Sequence, residues 1–154
     1  MLPPFIEHLR GMRKMGVLQA FLHPVAVEDT KQVIVSKRFV GEDGKPVPFE
    51  IRAISQEQNN RLMKAHTRSK VVNGQRVELF DNPGYTNALI IACTVQPDFE
   101  AEEMCKAYGC IDPAGVPEKM LRAGEYSSLV QEILAFNGFD SDRKIREDEE
   151  AKNS

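Results

Sequence analysis

The stretch Ser36–Ser55, SKRFVGEDGKPVPFEIRAIS, constrains the fold more than any other because it strings a strand, a turn, a strand and a helix start together. Lys31–Val40 is rich in β-branched residues and Pro46–Ile54 resumes extended character. Between them Asp43-Gly44 supplies the positive φ angles of a tight β-hairpin turn. Pro46 and Pro48 donate no ladder hydrogen bonds, so the second strand becomes regular only near Phe49. The register stays open: one pairing sets Lys37 opposite Glu50, and a one-residue slip sets Arg38 opposite Glu50 and Phe39 opposite Phe49. Ser55-Gln56-Glu57-Gln58 then forms a capping box, which starts a helix running to about Ser69. Glu57 at its start and Lys64, Arg68 and Lys70 at its end match the helix dipole. Its apolar content is thin, essentially Leu62, Met63 and Ala65, as expected of a surface helix with a narrow buried stripe.

A second hairpin is expected in KVVNGQRVELF, where Asn73-Gly74 favours a type I′ turn. Beyond Phe80 helical signals dominate. Asn82 as cap with Pro83 in the first turn leads into YTNALIIACTV, a run apolar all round that suits a buried helix or a central strand; we read it as helix. Asp98 caps FEAEEMCKAYG, Gly109 stops it, and Pro117 opens a short helix through Leu121. From Glu125 to Asn137, Tyr126, Leu129, Val130, Ile133 and Leu134 recur at helical spacing, with Gly138 as the stop. The expected fold is α+β: a small N-terminal antiparallel hairpin sheet followed by a mainly α-helical C-terminal part. The expected organisation is a flexible segment over 1–24, one globular domain over 25–139, and a charged flexible tail over 140–154.

Chemistry-bearing motifs are missing. The 20 basic and 23 acidic residues give a net charge of -3, no footprint for phosphate backbones or anionic lipid, so neither nucleic acid nor membrane is expected as a partner. No apolar run reaches the roughly 18 residues of a membrane span, and the start lacks the apolar core of a secretory signal. Cys93, Cys105 and Cys110 show no zinc spacing and fit a reducing cytoplasm; His8, His23 and His66 stand apart from them. No phosphate-binding loop, dinucleotide turn, nucleophile elbow or zinc-protease helix occurs, and no cofactor is expected. Glu100, Glu102 and Glu103 read as dipole compensation at a helix start. Arg61, Lys64, Arg68 and Lys70 read as a solvated basic face.

Three blocks in order, VIVSKRFVGEDGKPVPFEIRAISQEQNNRL, YTNALIIACTVQPDF and AGEYSSLVQEILAFNGF, resemble the XkdN-like phage tail assembly chaperone family of PBSX-like defective prophages. The similarity spans roughly Val33 to Phe139. Met1–Lys14 departs from the family pattern, whose start resembles MGVLQAFLHP. The resemblance implies a non-enzymatic cytoplasmic protein whose partner is the tape measure protein, with the tail tube protein a second partner and self-association open. Candidate contacts to an apolar helical partner are Leu18, Phe21 and Leu22, an amphipathic patch outside the expected core, and Leu62 and Met63 on the most polar helix. The plainer reading docks Leu62 and Met63 on the sheet and folds Leu18–Leu22 back. Two other classes stay open at this point: a small DNA-binding prophage regulator, and an enzyme whose site assembles only in three dimensions.

Overall fold

The computed structural model describes residues 16–25 and 29–139; the expectations for Met1–Lys14 and for the tail over 140–154 lie outside the described residues. Helix α1 covers residues 16–22. Strand β1 (Thr30–Val33) and β2 (Phe49–Arg52) pair antiparallel and precede helix α2 (Gln56–Ala65). A second antiparallel pair follows, β3 (Thr67–Val72) with β4 (Gln75–Phe80), and then helix α3 (Asn82–Cys93). Strand β5 (Thr94–Gln96) adds to the free side of β2, giving a three-stranded sheet of order β1-β2-β5. Helices α4 (Glu102–Ala107), α5 (Val116–Met120) and α6 (Ala123–Phe136) complete an α+β fold, with sheets in the N-terminal half and helices in the C-terminal part as expected.

The core forms where the inward residues of β2 meet the helices. Phe49 and Ile51 alternate onto one face of the strand and are buried. They meet Leu89, Ile90 and Cys93 of α3 and Leu129 and Ile133 of α6 in one buried cluster. Tyr126, Val130 and Leu134 pack around it, so the helical stripe expected on α6 is the core stripe. Phe39, Phe49 and Phe99 extend the cluster as a tilted aromatic chain with centroids 5.8 and 6.4 Å apart.

Several boundaries differ from the sequence reading. Neither expected register of the first hairpin occurs: Gln32 stands opposite Glu50 and Val33 opposite Phe49. The hairpin tip does close where Asp43-Gly44 placed it, with Gly44 at φ 75° and Val40 bridging Pro46. Between that bridge and the ladder, residues 34–39 face only 47 and 48, so the arms cannot stay paired. The excess folds into a turn, in which the Arg38 N–H donates to Ser36 Oγ at 3.1 Å. Arg38 then leaves the sheet for α6, and Phe39 meets Phe49 ring to ring rather than across a ladder.

The capping box forms as read: the Gln58 N–H donates to Ser55 Oγ at 3.2 Å, and the Ser55 N–H donates to Gln58 Oε1 at 3.0 Å. The helix ends at Ala65, not near Ser69, because Thr67, Arg68 and Ser69 pair with Phe80, Leu79 and Glu78 in the second hairpin. That hairpin turns on Asn73 and Gly74, both at positive φ, as expected. YTNALIIACTV is helical only to Cys93; β-branched Thr94 and Val95, just ahead of Pro97, extend along β2. Asp81 caps α3 in place of Asn82. Asp98 accepts from the Glu100 N–H and closes a local turn, while α4 starts later behind Ala101.

Glycine is required inside α3. Asp81 Oδ1 accepts from the Gly84 N–H at 3.0 Å, and a Cβ on residue 84 would lie 2.3 Å from Asp81 Oδ2 and 2.9 Å from His66 Cδ2. Helix propensity alone favours alanine over glycine by about 1 kcal/mol. Gly84→Ala must instead expel the cap and displace His66, and the loss of both contacts should outweigh that gain, so the urea midpoint should fall. A higher midpoint would show that Asp81 does not cap this helix.

Glu125 joins the first loop to α6. Its carboxylate takes both prongs of Arg38, from Nη2 at 2.5 Å and Nε at 3.1 Å, and accepts from the Arg122 N–H at 2.8 Å. The Arg38 guanidinium, helped by the Ser36 side chain and the Arg122 N–H, holds the Glu125 carboxyl at about 2 against an ordinary 4.5. A value depressed in the folded state stabilises fully above the unfolded value and is lost as pH falls through the folded one. The stability gap between the native protein and Glu125→Gln should therefore be widest at neutral pH and narrow between about 4.5 and 2. A gap of constant size across that window contradicts the pairing.

Candidate functional site

Two of the five candidate contacts sit next to each other in sequence and in opposite environments. Leu62 is half-buried at the edge of the core and, with His66, Ala88, Ile91 and Ala92, lines a cleft of about 500 Å³ between α2 and α3. Asn59, one turn earlier and buried, accepts a hydrogen bond from the Tyr85 hydroxyl on α3 and fixes the same docking. Leu62 therefore holds α2 in place. Met63 is 41% exposed, and its sulfur accepts from Asn59 Nδ2 at 3.8 Å. On α1, Leu18, Phe21 and Leu22 are spaced i, i+3, i+4 on one side of the helix and are all exposed, Phe21 by 79%.

The basic face expected on the first surface helix is divided. Arg61 pairs with Glu57 one turn earlier at 2.5 Å, and Lys64 lies in the last turn of α2. Arg68 and Lys70 belong to β3. Every residue from Arg68 to Phe80 is exposed, so the second hairpin stands out from the body with both faces in solvent. Its base is closed by the Asp81 N–H donating to the His66 carbonyl at 2.7 Å and by Phe80 against Tyr85, ring centroids 5.4 Å apart. This arm was absent from the sequence-derived list of contacts. Its signal was present: from Arg68 to Val72 polar and apolar residues give no helical stripe, and Asn73-Gly74 fixes the turn that returns Val77 and Leu79 opposite the basic residues.

Among the described residues, the clefts carry structural hydrogen bonds. One of about 510 Å³ is lined by Thr86, Glu118, Tyr126 and Ser127. The Tyr126 hydroxyl donates to Asn87 Oδ1 at 2.6 Å, and Asn87 Nδ2 donates to Glu118 Oε1 at 2.9 Å. These bonds join α3, α5 and α6, and burial raises the Tyr126 pKa away from use as a base at neutral pH. Burial likewise pushes the Cys93 thiol up, against thiolate chemistry. Cys105 and Cys110 are half-buried free thiols, and among the described residues no three His, Cys, Asp or Glu side chains gather to hold a metal ion. Of the acidic run, Glu102 pairs with Lys106 at 3.1 Å. Among the described residues no helix is long and apolar enough to cross a membrane.

The chain is similar to known proteins along most of its length. The family model described as phage XkdN-like tail assembly chaperone protein matches residues 18–152. Two proteins of Bacillus subtilis strain 168 are related: the uncharacterized protein YqbN, 38% identical over 124 residues covering 79% of this chain and 83% of that one, and the phage-like element PBSX protein XkdN, 35% identical over 131 residues covering 84% and 87%. The crystal structure of YqbN superposes with a TM-score of 0.62 at 29% identity, over 77% of this chain and 94% of that one. The family match takes in most of α1, all of α2, the exposed arm and the whole core, and by it the chain belongs to the XkdN-like phage tail assembly chaperone family.

Proposed function

We propose that the protein binds the tape measure protein in the host cytoplasm, keeps its apolar helical segments apart, and releases them as tail tube subunits polymerise around it. The observation that carries this reading is membership of the tail assembly chaperone family over residues 18–152. The geometry supports it in chemical terms. Apolar side chains are open to solvent: Leu18, Phe21 and Leu22 on α1, and in part Met63 on α2. A client helix gains burial from such side chains, and an unbranched methionine adapts to changing client sequence. Binding of this kind uses no cofactor and no catalytic step.

Co-expression with a tape measure fragment should keep that fragment soluble. Phe21→Asp and Met63→Asp should weaken the effect without unfolding this domain; for Phe21, 79% exposed, the stability should stay within about 0.5 kcal/mol of the native protein. Leu62→Ala should behave differently, costing about 2 kcal/mol at the α2–α3 contact. A fragment that aggregates equally with and without this protein would sink the chaperone reading; silent Phe21 and Met63 variants would sink only the contact assignment.

A further inference from the structure

We propose that the β3–β4 hairpin is a docking arm whose face of Arg68, Lys70, Val72, Val77 and Leu79 takes an amphipathic helix with acidic residues beside its apolar stripe. Residues directly opposite in an antiparallel pair share a face. Arg68 stands opposite Leu79, Lys70 opposite Val77, and Val72 opposite Gln75, so one face carries a basic row along β3 beside an apolar row along β4. All five named side chains are exposed, and among the described residues neither Arg68 nor Lys70 makes an ion pair. On the opposite face Arg76 Nε donates to Ser69 Oγ at 2.7 Å within the ribbon, and Phe80 packs on Tyr85 at its base.

The spacing fits a helix. Neighbouring strands lie about 5 Å apart. On a helix surface, residues three or four apart lie about 5–6 Å apart. An apolar stripe laid along Val77 and Leu79 therefore sets flanking carboxylates over Arg68 and Lys70. Six residues per strand give an arm about 20 Å long, enough for about 13 helical residues. A second copy of the same face is a poor occupant, because it offers no carboxylate to either cation. Nucleic acid would leave the apolar row unburied, and the chain carries a net charge of -3. The arm deepens the chaperone reading, on which it rests for the client's identity but not for the docking chemistry.

The test uses the full chain and two dye-labelled helical peptides with the same leucine stripe, one flanked by glutamates and one by lysines, read by fluorescence anisotropy. The glutamate peptide should bind about ten-fold or more tighter, since like charges set against one another are costly. Arg68→Glu with Lys70→Glu should reverse the preference, and Val77→Ser with Leu79→Ser should weaken both peptides about ten-fold, with thermal unfolding of the globular body unchanged. The proposal is overturned if neither peptide binds, if the arm variants bind as the native protein does, if duplex DNA displaces the glutamate peptide, or if the variants instead abolish a concentration-dependent dimer. A tape measure fragment kept soluble equally by native and arm-variant proteins rejects the arm and leaves the chaperone reading intact. Selective peptide binding together with a fragment the native protein cannot keep soluble rejects the chaperone reading and leaves the arm.

Discussion

The Glu125 carboxylate is the point on which the two halves of the fold depend. It closes the first turn of α6 through the Arg122 N–H and, with its other lone pairs, takes the fork of Arg38 from a loop far back in the chain. Arg38 Nη2 also donates to the Met120 carbonyl at 3.1 Å, so one guanidinium ties the loop after β1 to the ends of both α5 and α6. Its plane lies over the Phe39 ring at 4.9 Å, which turns Phe39 toward Phe49 and the aromatic chain. With that corner set, α6 enters at the angle that brings Leu129 and Ile133 onto Ile51 and the α3 residues, all buried.

Other polar side chains fix the remaining corners. Asn137, behind the last turn of α6, accepts from the Ile54 N–H at 2.9 Å and donates to the Ile133 carbonyl at 2.8 Å, which clips the helix end to the chain leaving β2. Asn59 and Tyr85 clip α2 to α3, and Tyr126, Asn87 and Glu118 clip α3 to α5 and α6. Each is satisfied by a partner on another element, so burial costs little and position is specified. The same clips aim the exposed arm. Its base joins α2 to α3 between His66 and Asp81, and Tyr85 touches both Phe80 of the arm and Asn59 of α2.

Local chemistry was legible and distant chemistry was not. The Ser55 box, the turns at Gly44 and Asn73-Gly74, the stop at Gly109 and the α6 stripe all rest on neighbours within a few residues. The register of β1 on β2 comes with a loop whose Arg38 reaches Glu125, a partner that no window around residues 30–54 contains. Strand β5 exists because β2 offers a free edge to Thr94 and Gln96, and nothing in the apolar run announces where that edge lies. Leu62 and Met63 look alike in sequence; only the rotation of α2 on Asn59 decides that Leu62 packs on the core while Met63 stays 41% exposed. A capping box marks where a helix starts and not where it ends, so Arg68 and Lys70 suit a helix end in sequence, whereas pairing with Leu79 and Val77 places them in a strand.

The client handling proposed for this protein brings a constraint of its own, since large exposed apolar patches and free strand edges drive self-association. Among the described residues, exposed apolar side chains occur on α1, at Met63 of α2 and on the arm, and also outside them at Ile34, Val40, Val95 and Ile111. The arm carries a safeguard. Natural sheets blunt open edges with charged residues, and β3 carries Arg68 and Lys70 at alternate positions while β4 carries Arg76 and Glu78. The cations that discourage another copy from pairing with this ribbon are those that select an acidic client in the docking proposed for it. Guarding the edge and choosing the partner then follow from one arrangement of charge.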